Sequence, residues 1–160
     1  LRLRGNQIDD LAMEYISEIC MFTPCLKRLI LSSNKIGDRG LKVFAQSCVQ
    51  LTRLDELGIG SLITDYGVAC FADSCLKQQL NLPSLRTLNI SGPCSNSSTN
   101  GMQKMVQACK QGKLPKLSLL CIGSLHLSPW IDEKEWCELF GEDDCRDRMD
   151  TQWTFRYKRM

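Results

Sequence analysis

Histidine is nearly missing. The 160 residues contain one, His126. A nucleophile–histidine–acid relay needs an imidazole beside its nucleophile. His126 alternates with Leu125 and Leu127, which places it at an exposed or edge position of a strand. No C-x-x-C pair occurs, so the zinc spacing is absent as well. The glycine-containing GIGS at 58–61 lacks the lysine of a phosphate loop and falls at a strand end. The acidic run Glu142-Asp143-Asp144 lacks the alternation of a calcium loop and suits a solvated face. From these absences no catalytic residue, cofactor or metal is expected, and the chain is read as not an enzyme.

Other absences bound the partners. No run of about 18 apolar residues is present, so no membrane-spanning helix and no membrane partner is expected. No basic-then-apolar leader opens the chain. It begins without Met, in mid-pattern, with LRLRGNQI, as a piece of a longer protein would. The net charge is only +2, too weak a field to point to nucleic acid. Its distribution is uneven: residues 1–128 hold 14 basic and 9 acidic side chains, net +5, and residues 129–160 hold 6 and 9, net −3. A change of unit near Pro129 is therefore expected.

What is abundant is a repeat. Units start at Leu26, Leu54, Leu85 and Leu117, spaced by 28, 31 and 32 residues. Leu1-Arg2-Leu3-Arg4-Gly5-Asn6-Gln7-Ile8 matches Leu29 to Ile36 of the following unit. The first half of each unit alternates apolar and outward residues, predicting short strands near 1–4, 28–32, 56–60, 87–91 and 119–123. The second half has helical spacing: Gly40, Leu41, Phe44, Ala45 and Cys48 correspond to Ala12, Met13, Ile16, Ser17 and Cys20. They also correspond to Gly67, Val68, Phe71, Ala72 and Cys75, and to Gly101, Met102, Met105, Val106 and Cys109. Asn34 is polar among inward positions, and its amide is expected to bond the backbone where the chain leaves the strand. No such unit covers its own apolar side, so the units must stack.

The pattern in LRLILSSNKIGDRGLKVFAQSC at 27–48 and LDELGIGSLITDYGVACFADSC at 54–75 resembles the leucine-rich repeat family. The unit length and helical second half are similar to the ribonuclease-inhibitor type. ITDYGV and the cysteine closing each helix are similar to the cysteine-containing type of F-box substrate receptors. The resemblance covers roughly residues 1–125. It implies a right-handed α/β solenoid, a horseshoe fragment with a parallel sheet on its concave face and helices on its convex face. Ser61 stands where an Asn is expected, and SGPCSNSSTNG at 91–101 replaces that turn altogether. Insertions follow Cys75 and Cys109.

Cys20, Cys48, Cys75 and Cys109 take one equivalent position per unit, as small apolar packing residues do. Reduced structural thiols are therefore expected for the ten cysteines, with a cytoplasmic or nuclear location. In that compartment the triplets Asn89-Ile90-Ser91 and Asn96-Ser97-Ser98 carry no glycan.

In the solenoid the residues alternating with the leucines face outward on the concave sheet. They are Arg2, Arg4, Arg28, Ile30, Ser32, Ser33, Glu56, Gly58, Thr87, Asn89, Leu119 and Cys121, with Gly60, Ser91 and Gly123 at the strand ends. These form the candidate surface for a protein partner, with Arg2, Arg4 and Arg28 as the natural carboxylate clamps. Residues 129–160 are read as a cap, with an amphipathic helix carrying Ile131, Trp136, Leu139 and Phe140 and a strand through Trp153, Phe155 and Tyr157. The expected function is protein recognition through the concave sheet. Three alternatives stay open on the resemblance: a GTPase regulator of the Ran GTPase-activating type, a ubiquitin-ligase substrate receptor, and the sensing end of an innate-immune receptor.

Overall fold

Four times the chain alternates a helix with a strand, and every strand lies beside the one before it. The computed structural model describes residues 1–49, 51–90, 92, 100–123 and, for the backbone alone, 152–156. Its elements are α1 (Asp10–Met21), β1 (Arg28–Ile30), α2 (Asp38–Ser47), β2 (Glu56–Ile59), α3 (Asp65–Leu76), β3 (Thr87–Ile90), α4 (Asn100–Lys110), β4 (Leu119–Gly123) and β5 (Gln152–Arg156). One five-stranded sheet runs in the order β1-β2-β3-β4-β5. Its first four strands are parallel and β5 is antiparallel to β4. This is the expected open α/β solenoid.

The register explains the leucines. Leu29, Leu57, Leu88 and Leu120 are Cα partners across the four parallel strands. They and the second row of Leu31, Ile59, Ile90 and Ile122 are all at most 1% exposed. Helix residues close the core from the other side, with Met13, Leu41, Val68 and Met102 in one row and Phe44, Phe71 and Met105 in the next. Each coil thus buries its apolar side against its neighbours and not within itself.

Two strands end earlier than the alternation suggests. β1 stops at Ile30, ahead of a left-handed Ser33 at φ 59°, and β2 stops at Ile59, directly before a left-handed Gly60 at 88°. Residues 1–4 make no named strand, yet Leu3 N donates to Ile30 O at 2.8 Å and Ile30 N to Leu1 O at 3.0 Å. The first coil therefore starts the parallel ladder around the single Arg2–Ile30 bridge.

The insertions fold alike. After α3, Gln78 turns left-handed and Leu80 N donates to Ser74 O at 3.0 Å; after α4, Gly112 turns left-handed and Lys113 N donates to Ala108 O at 2.9 Å. In each case the chain re-enters the core at a leucine, Leu80 or Leu114. Extra length is absorbed at the helix C-terminus, where a left-handed residue satisfies orphan carbonyls. Of the C-terminal segment, the expected strand appears as β5. Tyr157, His126 and the expected helix lie outside the described residues.

Candidate functional site

The concave face presents two complete rows. Arg28, Glu56, Thr87 and Leu119 lie side by side on β1 to β4, and Ile30, Gly58, Asn89 and Cys121 form the next row. The first row runs from charge to apolar surface. Arg28 and Glu56 pair with Nε 3.4 Å from Oε2, both partly exposed. Arg28 is thus already engaged by a carboxylate of the neighbouring strand, whereas Arg2 and Arg4 extend into solvent from the first coil. Beside this row, Arg86 and Asp55 pair at 3.3 Å. Exposed pairs of this kind fix orientation more than they stabilise.

The second row is shallower. Gly58 has no side chain and is buried, because the Ser32 hydroxyl and Ile30 lean over it; a Cβ there would stand 2.8 Å from Ser32 Oγ. Gly58 therefore gives a partner no surface of its own, and the contact at that place would be with Ile30 and Ser32. Asn89 Oδ1 is buried in this row with no hydrogen-bond donor among the described residues. Cys121 is half-buried and Leu119 half-buried at the far end. Ser33 leaves the sheet for the exposed turn after β1 and sits at the rim.

Asn34 does what its place in the repeat requires. It is 4% exposed. Its Nδ2 donates to Leu31 O at 2.7 Å and to Leu3 O at 2.9 Å, and its Oδ1 accepts from Ile8 N at 3.1 Å. One amide therefore ties the turn of its own coil to the coil before it. In the next coil Ser61 holds the equivalent place, and its hydroxyl donates to the Asn34 carbonyl. That bond, with Gly58 and Ile59 in β2, gives GIGS a structural role in the stack.

A second ladder escaped the sequence reading. α2 begins at Gly37, which has no side chain with which to cap its helix. Asp10 of α1 does so instead: its Oδ1 accepts from Gly37 N at 2.8 Å and Gly40 N at 3.0 Å. Asp38 likewise accepts from Thr64 N at 2.7 Å and Thr64 Oγ1 at 2.6 Å, and Asp65 from Gly101 N at 2.9 Å. The starts of α2, α3 and α4 thus each receive a carboxylate from the preceding coil, which helps satisfy their N–H groups and positive ends. The small residue near each helix start follows from this. A Cβ on Gly40 would lie 2.6 Å from Asp10 Oδ1, and one on Gly67 or Gly101 would strike Asp38 or Asp65.

The thiols also line up. Cys20, Cys48, Cys75 and Cys109 are all buried, and these four are free thiols. Contact with the Cys20 thiol, then burial, push the Cys48 thiol up. Burial pushes Cys75 up to about 12, with Cys109 adding to it, and burial does the same to Cys109, also to about 12. Thiols held neutral in this way are packing groups and poor nucleophiles. Among the described residues no group of three His, Cys, Asp or Glu side chains converges as a metal site, and no helix is long and apolar enough to cross a membrane.

Comparison with known proteins bears on this geometry. The family model described as Leucine Rich repeat matches residues 24–45, the stretch from the end of the first coil through β1 and most of α2. No curated protein and no solved structure gives a significant match. The chain carries a leucine-rich repeat in a stacked α/β solenoid. Modules of this class generally bind other proteins.

Proposed function

We propose that this chain is a non-enzymatic recognition module that binds a protein partner across the concave sheet. The observation that supports the reading is the pair of registered rows, with Arg28, Glu56, Thr87 and Leu119 side by side in one, Ile30, Gly58, Asn89 and Cys121 in the next, and Arg2 bridged to Ile30. Chemistry changes along this face, from exposed guanidinium groups to half-buried apolar and amide groups. Such mixed composition with aromatic- or arginine-type anchors suits protein recognition. Arg2 and Arg4 serve as carboxylate clamps in this reading. The repeat follows the ribonuclease-inhibitor pattern with cysteine-containing features, supported by the helix in every coil and the buried cysteine at every helix end. Free, buried thiols support a reducing compartment, the cytoplasm or nucleus. Residues 129–160 act as the cap of the solenoid, a role supported by the pairing of β5 with β4.

The test is site-specific photo-crosslinking in cells. A crosslinker at Ile30 or Thr87 should give one partner adduct, and the same group at exposed Lys42 or Gln107 on the helices should not. Arg2→Glu with Arg4→Glu should remove the adduct without lowering the melting temperature. The same partner captured from the helical side alone would overturn the concave-face assignment.

A further inference from the structure

Between Asp73 and Asp132 the chain has no acidic residue. Those 58 residues hold six basic side chains, Lys77, Arg86, Lys104, Lys110, Lys113 and Lys116. At the chain's own frequency, 18 acids in 160 residues, about six acids would fall there. The stretch takes in the end of α3, the whole of α4 and strands β3 and β4.

The fold collects five of the six cations on one edge. Each helical crossover returns the chain against the direction of the strands, so helices end where strands begin. Lys77 follows the last residue of α3, Lys110 ends α4, and Arg86 and Lys116 precede β3 and β4. Lys113 lies in the turn between, its N–H donating to Ala108 O at 2.9 Å. Lys77, Arg86, Lys110 and Lys116 are exposed and Lys113 is half-buried. Ser118 N and Leu119 N both donate to Arg86 O at 2.9 Å, which holds the Lys116 turn beside Arg86. A distant part of the sequence arrives at the same edge, because β5 reaches it at Arg156, paired with Leu119. The three neighbouring strand ends span about 10 Å.

Two ordinary roles leave much of this charge unanswered. A cation near a helix C-terminus complements the dipole, but only within the last turn. Lys110 and the cap residue Lys77 meet that condition; Arg86, Lys113 and Lys116 do not. Ion pairing inside the fold is the other role. Arg86 pairs with Asp55 and Lys104 with Asp73. Among the described residues Lys77, Lys113 and Lys116 pair with no carboxylate. The edge is also bounded. On the next strand, Asp55 and Glu56 neutralise Arg86 and Arg28, and residues 1–73 as a whole hold eight basic and nine acidic side chains.

These features select the ligand. No aromatic residue occurs from 74 to 129, so no ring is offered for a base to stack on. No large apolar side chain is exposed among the described residues of these coils, so nothing here enters a bilayer. A duplex carries a charge every 1.7 Å or about that, and it runs on past so short an edge toward the acids of β2. An extended segment of about six residues covers only about 20 Å and stays on the lysines. We propose that the edge formed by Lys77, Lys113 and Lys116, with Arg86 and Lys110 beside them, docks an acidic segment of a partner protein. This contact is additional to the concave sheet and does not rest on the reading given to it.

The test uses the 160-residue chain and a fluorescent peptide of about six glutamates, its glutamine counterpart, and a DNA duplex of about 20 base pairs. Fluorescence anisotropy should show saturable binding of the glutamate peptide, at least about ten-fold tighter than the glutamine peptide and tighter than the duplex. Raising the salt from about 50 to about 200 mM should weaken it, since exposed charges are screened. Lys113→Gln with Lys116→Gln should weaken it at least about five-fold, and Lys35→Gln with Lys42→Gln in the second coil should not. Lys77→Gln with Lys116→Gln, at two exposed positions, repeats the measurement without touching the half-buried lysine. Urea melts check that each variant keeps its fold. The proposal is overturned if the glutamate peptide does not bind, if the glutamine peptide binds as well, or if both lysine pairs can be replaced without loss. Tighter binding of the duplex overturns it by assigning the edge to nucleic acid. A larger loss from Arg2→Ser with Arg4→Ser than from either lysine pair overturns it by moving the carboxylates to the first coil.

Discussion

Asn34→Ala isolates the contribution of the turn amide. The substitution removes three hydrogen bonds, Nδ2 to Leu31 O and Leu3 O and Ile8 N to Oδ1. Two of these partners are in the first coil and only half-buried, so water recovers part of the loss. At about 1 kcal/mol net per bond the cost is about 3 kcal/mol. A native domain holds only about 5–15 kcal/mol, so this is a large fraction. With a urea slope of about 2 kcal/mol/M, the midpoint should fall by about 1.5 M at unchanged slope. Hydrogen exchange gives the local counterpart: the Ile8 amide loses its acceptor and should exchange much faster, while amides in β3 hold. A midpoint shift under about 0.5 M with an unchanged Ile8 amide would refute the claim that one side chain ties these two coils.

The aspartate ladder predicts a non-additive pair. Gly40→Ala should cost about 1–3 kcal/mol because its Cβ meets Asp10 Oδ1 at 2.6 Å and two apolar atoms at 2.9 Å. In Asp10→Ala with Gly40→Ala, denaturant melts should show less than the sum of the two single losses, since removing the carboxylate opens the space. Stability should also fall with alkali. Cys75 and Cys109 keep their protons to about pH 12 when folded and lose them near 9 when unfolded, so between those values the unfolded chain binds fewer protons. The loss is roughly 1.4 kcal/mol per pH unit for each thiol, and urea melts at pH 8 and 10 should differ less in Cys75→Ala with Cys109→Ala. Leu29→Asp should unfold the stack, because a buried unpaired carboxylate is costly, while Ser32→Asp should melt as the native chain does. Peptide mapping after brief alkylation should find Cys25 modified and Cys20, Cys48, Cys75 and Cys109 protected until urea is added.

The spine of the molecule was readable because it is local. Leu29 and Leu31 are two residues apart on one strand, and that spacing alone assigns them a face. Asn34 could be placed because it recurs at Asn6 and because a polar residue between inward leucines demands backbone partners. The aspartates were not legible for a different reason. Asp38 serves a helix start 26 residues further on, so its role depends on stacking and not on spacing within its own unit. Read in isolation it is an acidic residue in the first turn, which every helix tolerates. The available signal was the pairing of Asp38-Arg39-Gly40 with Asp65-Tyr66-Gly67, where one residue fills the hole left by the other. Gly58 misled as a surface position because alternation gives direction and says nothing of neighbours leaning across. The left-handed turns at Ser33 and Gly60, which follow the ends of β1 and β2, are not announced by residue type, least of all by a serine.

The direction of β5 has a consequence for assembly. A strand at the rim of a sheet offers unpaired amides to any passing chain and is a seed for aggregation. Here Leu119 to Gly123 are matched one for one by Arg156 to Gln152, running the opposite way. A parallel newcomer finds that rail occupied by a strand of the wrong polarity. Growth of the array by end-to-end pairing, the route by which repetitive chains form fibres, is obstructed on that side.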